Sequence, residues 1–161
     1  MKLMYTRPQD GGVNIVIAAD KLAIEKVLGE LTQEAYEAHI LEKSIPEEAI
    51  NVKLITDDDL PNNREFRNAW VDKTQDTKVN IDLEKAKELK LAELRSLRDE
   101  ELVKLDQIFM IAFEKGEDLT EIKERKSFLR DATEPLKSLK VEGVDDEAVL
   151  NQIRELATLE V

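Results

Sequence analysis

The side chains of this chain that could do chemistry are few, and their spacing suits other work. His39 is the only histidine. It lies between Ala38 and Ile40 with no serine or cysteine nucleophile motif beside it, so a structural or surface histidine is expected rather than a catalytic base. Asp57, Asp58 and Asp59 raise the idea of a divalent cation, but a calcium loop needs spaced ligands and a glycine turn, and three adjacent side chains diverge. A solvated turn or a helix cap is expected there, and again at Asp145, Asp146 and Glu147. Asp99, Glu100 and Glu101 stand three or four residues from Arg95, Arg98 and Lys104, the spacing of ion pairs along an exposed helix rather than of a general acid and base. Gly11-Gly12 follows a strand-like run, but neither a GxxxxGK[ST] nor a GxGxxG pattern is present, so the pair reads as turn chemistry. With no cysteine in the chain, disulfides, thiolate metal sites and cysteine nucleophiles are excluded. The residues imply no cofactor and no enzyme.

Charge narrows the partners. The chain of 161 residues carries 24 basic and 36 acidic residues, a net charge of -12, which opposes broad attraction to nucleic-acid phosphates or anionic lipid. Lys85, Lys87, Lys90, Arg95 and Arg98 are interleaved with acids and lack aromatic partners for stacking bases, so no nucleic acid is expected. No stretch approaches the roughly 20 apolar residues of a membrane span, and the start MKLMYTRPQDGG has no leader pattern. The expectation is a soluble protein of the cell that makes it.

The elements that would position any site can be read from periodicity. Leu3–Arg7 and Val13–Ile17 flank Pro8-Gln9-Asp10-Gly11-Gly12 and predict a β-hairpin. Asp20 is placed to cap a helix in which Leu22, Ile24, Val27, Leu28 and Leu31 cluster at helical spacing, and Thr32 to cap the next. After Pro46 the alternation of Ile50–Ile55 returns to a strand, giving a three-stranded antiparallel sheet with one or two helices. A turn-rich connector leads into REFRNAW, predicted as a short helix with Phe66 and Trp70 one turn apart, and Lys73–Lys78 reads as a polar loop. From Asp82 to Asp131 the sequence predicts a long helical hairpin broken at Lys115-Gly116-Glu117-Asp118. Leu83, Ala86, Leu91, Leu94, Leu102, Leu105, Ile108, Phe109 and Ala112 form the apolar stripe of its first arm; Leu119, Ile122 and Leu129 form that of the second. Arg98 and Glu101 interrupt the seam, so a self-paired coil, and with it a homo-oligomer, stays a secondary option. A last helix follows Asp146, with Val149, Leu150, Ile153, Leu156 and Leu159 available for packing.

The fold class expected is α+β: a small antiparallel sheet lobe with helices, then a long α-helical hairpin and a C-terminal helix. The boundaries expected are a lobe over 1–72 including FRNAW, a linker over 73–81, the hairpin over 82–131 and a C-terminal helix and tail over 132–161. Arg64, Phe66, Arg67 and Trp70 form the most suggestive local group. Tryptophan and arginine are over-represented at interface hot spots, while a sole tryptophan also serves as a core anchor, and the sequence leaves both open.

The central segments DDDLPNNREFRNAW, DLEKAKELKLAELRSLRDEELVKLDQIFMIAFEKGE and IKERKSFLRD resemble small phage and prophage proteins encoded among tail and tail-fiber genes. The shared pattern is the aspartate turn at Asp57–Asp59, the FRNAW segment at Phe66–Trp70, a KAKEL-like helix start at Lys85–Leu89, an arm from Arg95 to Asp106 and a closing Lys126–Asp131. The arms are similar to those of tail-fiber assembly proteins and tail assembly chaperones. The resemblance implies a non-enzymatic protein that binds tail or tail-fiber subunits, in the cytoplasm of a bacterial host or in the virion; Arg64, Phe66, Arg67, Trp70, Arg95 and Arg98 are the candidate partner-binding residues of this chain. The alternative expectation is an acidic phage-encoded inhibitor that occupies a basic site on a host protein.

Overall fold

A computed structural model describes residues 1–73 and 77–159, and the chain divides into two compact units, Met1–Asp82 and Leu83–Val161. Its class is α+β, as the periodicities predict. In the first unit β1 (Lys2–Thr6) and β2 (Val13–Ile17) form the expected hairpin, with Lys2 opposite Ile17 and Thr6 opposite Val13. The reversal needs Gly11, whose φ of +64° a Cβ would strain. Strand β3 (Ile50–Ile55) pairs with the other side of β1, so the sheet order is β2-β1-β3 and β2 is an edge. The β1–β3 register shifts between Met4 and Thr6, next to Asn51 at φ +53°, the mark of a bulge.

Two helices connect β2 to β3. Helix α1 (Lys21–Leu28) starts where the Asp20 carboxylate accepts from Leu22 N at 2.8 Å, and α2 (Gln33–Ser44) where the Thr32 hydroxyl accepts from Ala35 N at 3.1 Å. Leu3 of the sheet packs with Tyr36 and Ile40 of α2, and Val16, Ile24, Leu31 and Ile45 close around them. Tyr36 keeps its hydroxyl satisfied by donating to Ala19 O at 2.7 Å. The stripe expected on α1 is buried only in part: Gly29, at φ +88°, ends the helix after eight residues, and Leu22, Val27 and Leu28 stay exposed.

The FRNAW segment departs from expectation. Instead of a helix carrying Phe66 and Trp70 one turn apart, Arg67–Ala69 makes a single 3-10 turn and the chain then straightens into β4 (Trp70–Val71). Strand β4 pairs antiparallel with β5 (Asn80–Ile81), Trp70 opposite Ile81. Aromatic and β-branched residues at both strands favour this pairing, so the region expected as a linker over 73–81 ends in sheet. Residues 74–76 of the predicted polar loop lie outside the described residues. The first unit ends at Asp82, about ten residues later than the sequence suggested.

The second unit is built on α3 (Leu83–Lys115), one helix of 33 residues and about 50 Å. It stops at Gly116, φ +72°, where Glu117 N donates to Ala112 O at 2.9 Å and Gly116 N to Phe113 O at 3.1 Å, the paired bonds of a Schellman cap. Helix α4 (Thr120–Asp131) returns along α3, opened by Asp118, whose carboxylate accepts from Thr120 N and Oγ1 at 3.0 and 2.7 Å. A short helix absent from the sequence expectation, α5 (Glu134–Ser138), begins with Pro135 in its first turn. Helix α6 (Glu147–Leu156) is capped by Asp146 through Ala148 N and Val149 N. Near the start of α3, Leu83 N donates to Gly143 O and Lys87 Nζ to Leu139 O.

The core of this unit takes Leu83, Ala86, Leu91 and Leu94 from the first half of α3, with Leu129, Leu136, Leu150 and Ile153 from the other helices. Leu94→Ala should therefore cost about 2–5 kcal/mol in urea denaturation. Leu97→Ala, three residues on but half exposed, should stay within about 0.5 kcal/mol. Equal losses at the two positions would refute this placement of the stripe.

Candidate functional site

Phe66 and Trp70 anchor the site rather than face out of it. They are 1% and 5% exposed, so of the two roles the sequence left open for them, core anchor and partner contact, the burial fits the anchor. Arg64 and Arg67, from the same short segment, are exposed. The 3-10 turn explains the division, since Arg67 N donates to Arg64 O at 3.1 Å and Ala69 N to Phe66 O at 2.8 Å, a three-residue period that puts Phe66 and Ala69 inside and Arg64 and Arg67 outside.

Two further contacts hold the segment in place. Asp59 accepts from Thr56 N at 2.7 Å, from Thr56 Oγ1 at 2.8 Å and from Thr77 Oγ1 at 2.6 Å, while its carbonyl accepts from Val79 N. Lys53 of β3 pairs with Asp72 at 2.7 Å, and the Asp72 carboxylate is almost wholly buried. The aspartate run therefore works as a turn: Asp57 pairs with Lys2 while Asp59 closes its loop. Among the described residues no group of three or more histidines or carboxylates is placed to hold a metal ion.

Arg64, Arg67, Asn68 and Trp70 form one wall of a cavity of about 570 Å³, and all five residues of β2 form another. Lys2 and Arg7 also line it, and among the described residues Asp10 is its one acid. Arg7 is already committed. Its guanidinium forks onto Asp10 at 2.7 and 3.0 Å and donates to Asn14 Oδ1 at 2.9 Å, and Asn14 donates on to the Tyr5 hydroxyl at 2.7 Å. The Asp10 hydrogen bond raises the Arg7 pKa above its ordinary value, against a smaller opposing effect of burial. Gly12 leaves the space this guanidinium occupies, since a Cβ there would come within 2.2 Å of Arg7 Nη2. Arg64 and Arg67, by contrast, have no ion-pair partner among the described residues, and among the same residues the buried Trp70 indole N–H has no acceptor.

The second unit carries a different surface. Val103, Ile108, Met110, Ile111 and Phe113 of α3 and Phe128 of α4 are each about half exposed or more. Phe109 stacks on Phe113 at 6.4 Å, and Lys126 sits 4.9 Å over the Phe109 ring while pairing with Asp106. A second cavity, of about 530 Å³, is lined by Ile108, Ile111 and Ile122 together with Glu117, Asp118 and Glu121. Arg95 is exposed on α3 and Arg98 is held by its neighbour Asp99 at 2.8 and 2.9 Å; neither lines a cavity described here. Sequence reasoning missed Met110, Ile111 and Phe113 as surface residues. Their signal was the unbroken run Ile108–Phe113, too wide for the single buried stripe of a helix.

No described helix is long and apolar enough to cross a membrane. Comparison with protein families, curated proteins and solved structures found no match to this chain.

Two outcomes follow from this geometry. Phe66→Ala should lower stability by about 3–5 kcal/mol, read by thermal and urea unfolding, because it empties a fully buried aromatic position. The Asp59 carboxyl is held below the ordinary aspartate value of 3.8, chiefly by the Thr77 hydroxyl, then by the Thr56 N–H and hydroxyl. A group with a depressed folded pKa contributes stability above its unfolded value and loses it as pH falls through the folded one. Asp59→Asn should thus be less stable than the parent at pH 7, with the difference closing as pH falls below the ordinary value of 3.8 and through the lowered one. A gap that stays constant down to pH 2 would refute this.

Proposed function

We propose that this protein acts through protein–protein contact, without an enzymatic step of its own, as a phage tail-associated assembly chaperone or minor structural adaptor. The observation that carries the reading is the apolar belt at the distal part of the helical hairpin, where Ile108, Met110, Ile111 and Phe113 stay exposed on an otherwise charged helix. A contiguous apolar surface rimmed by charge is what a soluble chain keeps for a partner. The resemblance of the central segments to proteins encoded among tail and tail-fiber genes indicates the class of partner, a tail or tail-fiber subunit. A chaperone would act in the host cytoplasm, and an adaptor would remain in the virion.

Co-expression with tail and tail-fiber subunits followed by affinity capture tests the reading. The parent should retain at least one subunit. Ile111→Glu combined with Phe113→Glu should weaken capture about tenfold or more while leaving the melting temperature within a few degrees, since both side chains are exposed. Failure to retain any tail component, or capture indifferent to these substitutions, would sink it.

A further inference from the structure

We infer that the open edge of β2 is a docking site for an extended acidic peptide segment of a partner, added as a strand and held against Arg64 and Arg67. The site lies in the first unit and stands on observations separate from the hairpin belt.

The backbone comes first. Arg7 N donates to Gly12 O and Ala18 N to Met1 O, so the residues of the hairpin that exchange bonds with β1 are the even-numbered ones from Gly12 to Ala18. The N–H and C=O groups of Ile15 and Ile17 consequently point away from β1, at the edge of the sheet. Gly12 forms an antiparallel bridge with Val71, so β4 covers the start of this edge. Continued pairing would set Ala69 against Asn14, but the 3-10 turn at Arg67–Ala69 takes the chain off the ladder. What remains is an unpaired edge facing a cavity, with Ile17 71% exposed. Four free backbone groups in strand geometry recognise another extended backbone better than they do a compact ligand.

Charge decides which backbone. The sequence from Met1 to Asp82 has 10 basic and 16 acidic residues, a balance of -6, yet the cavity gathers four cations and one acid. Lys2 and Arg7 are neutralised by Asp57 and Asp10, which leaves Arg64 and Arg67 as uncompensated donors. At physiological salt the more distant acids are screened beyond about 8 Å, so the two guanidiniums set the local field. Side chains of an added strand alternate between faces, so carboxylates at every second residue would meet the arginine wall together. Trp70 belongs to the same lining, so its indole signal reports on a segment bound there.

A titration of the full 15N-labelled chain with the capped peptide Thr-Val-Glu-Val-Glu-Val-Thr tests this, with its lysine counterpart Thr-Val-Lys-Val-Lys-Val-Thr as control. The glutamate peptide should shift the amides of Ile15 and Ile17 and the Trp70 indole signal, slow exchange of those amides, and bind at least about tenfold tighter than the lysine peptide. Arg64→Glu with Arg67→Glu should remove that preference. Ile17→Pro should abolish binding while preserving the spectrum of the folded chain, because the N–H it deletes faces away from β1. The proposal is overturned by no binding at millimolar peptide, by equal binding of the two peptides, or by shifts confined to α3 and α4. Protection of Ile15 and Ile17 in the free chain together with a dimer in sedimentation would also overturn it, since the occupant would then be a second copy.

Discussion

A helix of 33 residues presents more apolar surface than three short helices can cover, and the second unit is organised by that shortage. Helices α4, α5 and α6 all pack on α3. Their largest buried side chains, Leu129, Leu136, Leu150 and Ile153, join a core to which α3 gives Leu83, Leu91 and Leu94. Beyond Leu94, Ala112 is the one fully covered residue of α3, while Leu102, Leu105 and Phe109 are half-buried. The exposed belt follows from the same arithmetic. Once the residues that face α4 are satisfied, the remaining apolar residues of the run Ile108–Phe113 have no element left to cover them.

The first unit solves a different problem with the same economy. A three-stranded sheet needs cover, and α1 and α2 reach it through the cluster around Leu3, Tyr36 and Ile40. The chain from Thr56 to Asp72 is tethered at Asp59, at Phe66 and at the Lys53–Asp72 pair. A segment held at so many points fixes where on the backbone its outward residues begin, at little further entropic cost to the chain. That is how two exposed arginines come to line the same cavity.

Much of this architecture was legible in the sequence, for reasons that were local. The paired glycines, the caps Asp20, Thr32 and Asp146, and the break at Gly116 each act over a few residues, and each is where the pattern placed it. The misses were tertiary. FRNAW has helical spacing, but one turn is too short to hold a helix, and pairing of Trp70 with Ile81 overrode the local preference. Helix α5 was hidden because five residues give no periodicity to count. Of the site, Arg64 and Arg67 were singled out from residue type alone. The open edge of β2 was not, because whether a strand is an edge depends on sheet order, and sheet order is not written in any one strand.

The uninterrupted backbone of α3 ties the direction of its distal belt to its buried base. Each residue turns the helix by about 100°, so the azimuth of Met110 and Ile111 is set by the count of residues separating them from Leu94. Removing one residue from that stretch would swing the belt by more than a quarter turn while preserving its composition, its length to within about 1.5 Å and its charge. Removing seven would return it to within about 20° of its original bearing, two turns closer to the base. The length of this arm can therefore change by pairs of turns at the cost of about 20° in the facing of the belt, whereas a change of a single residue re-aims it.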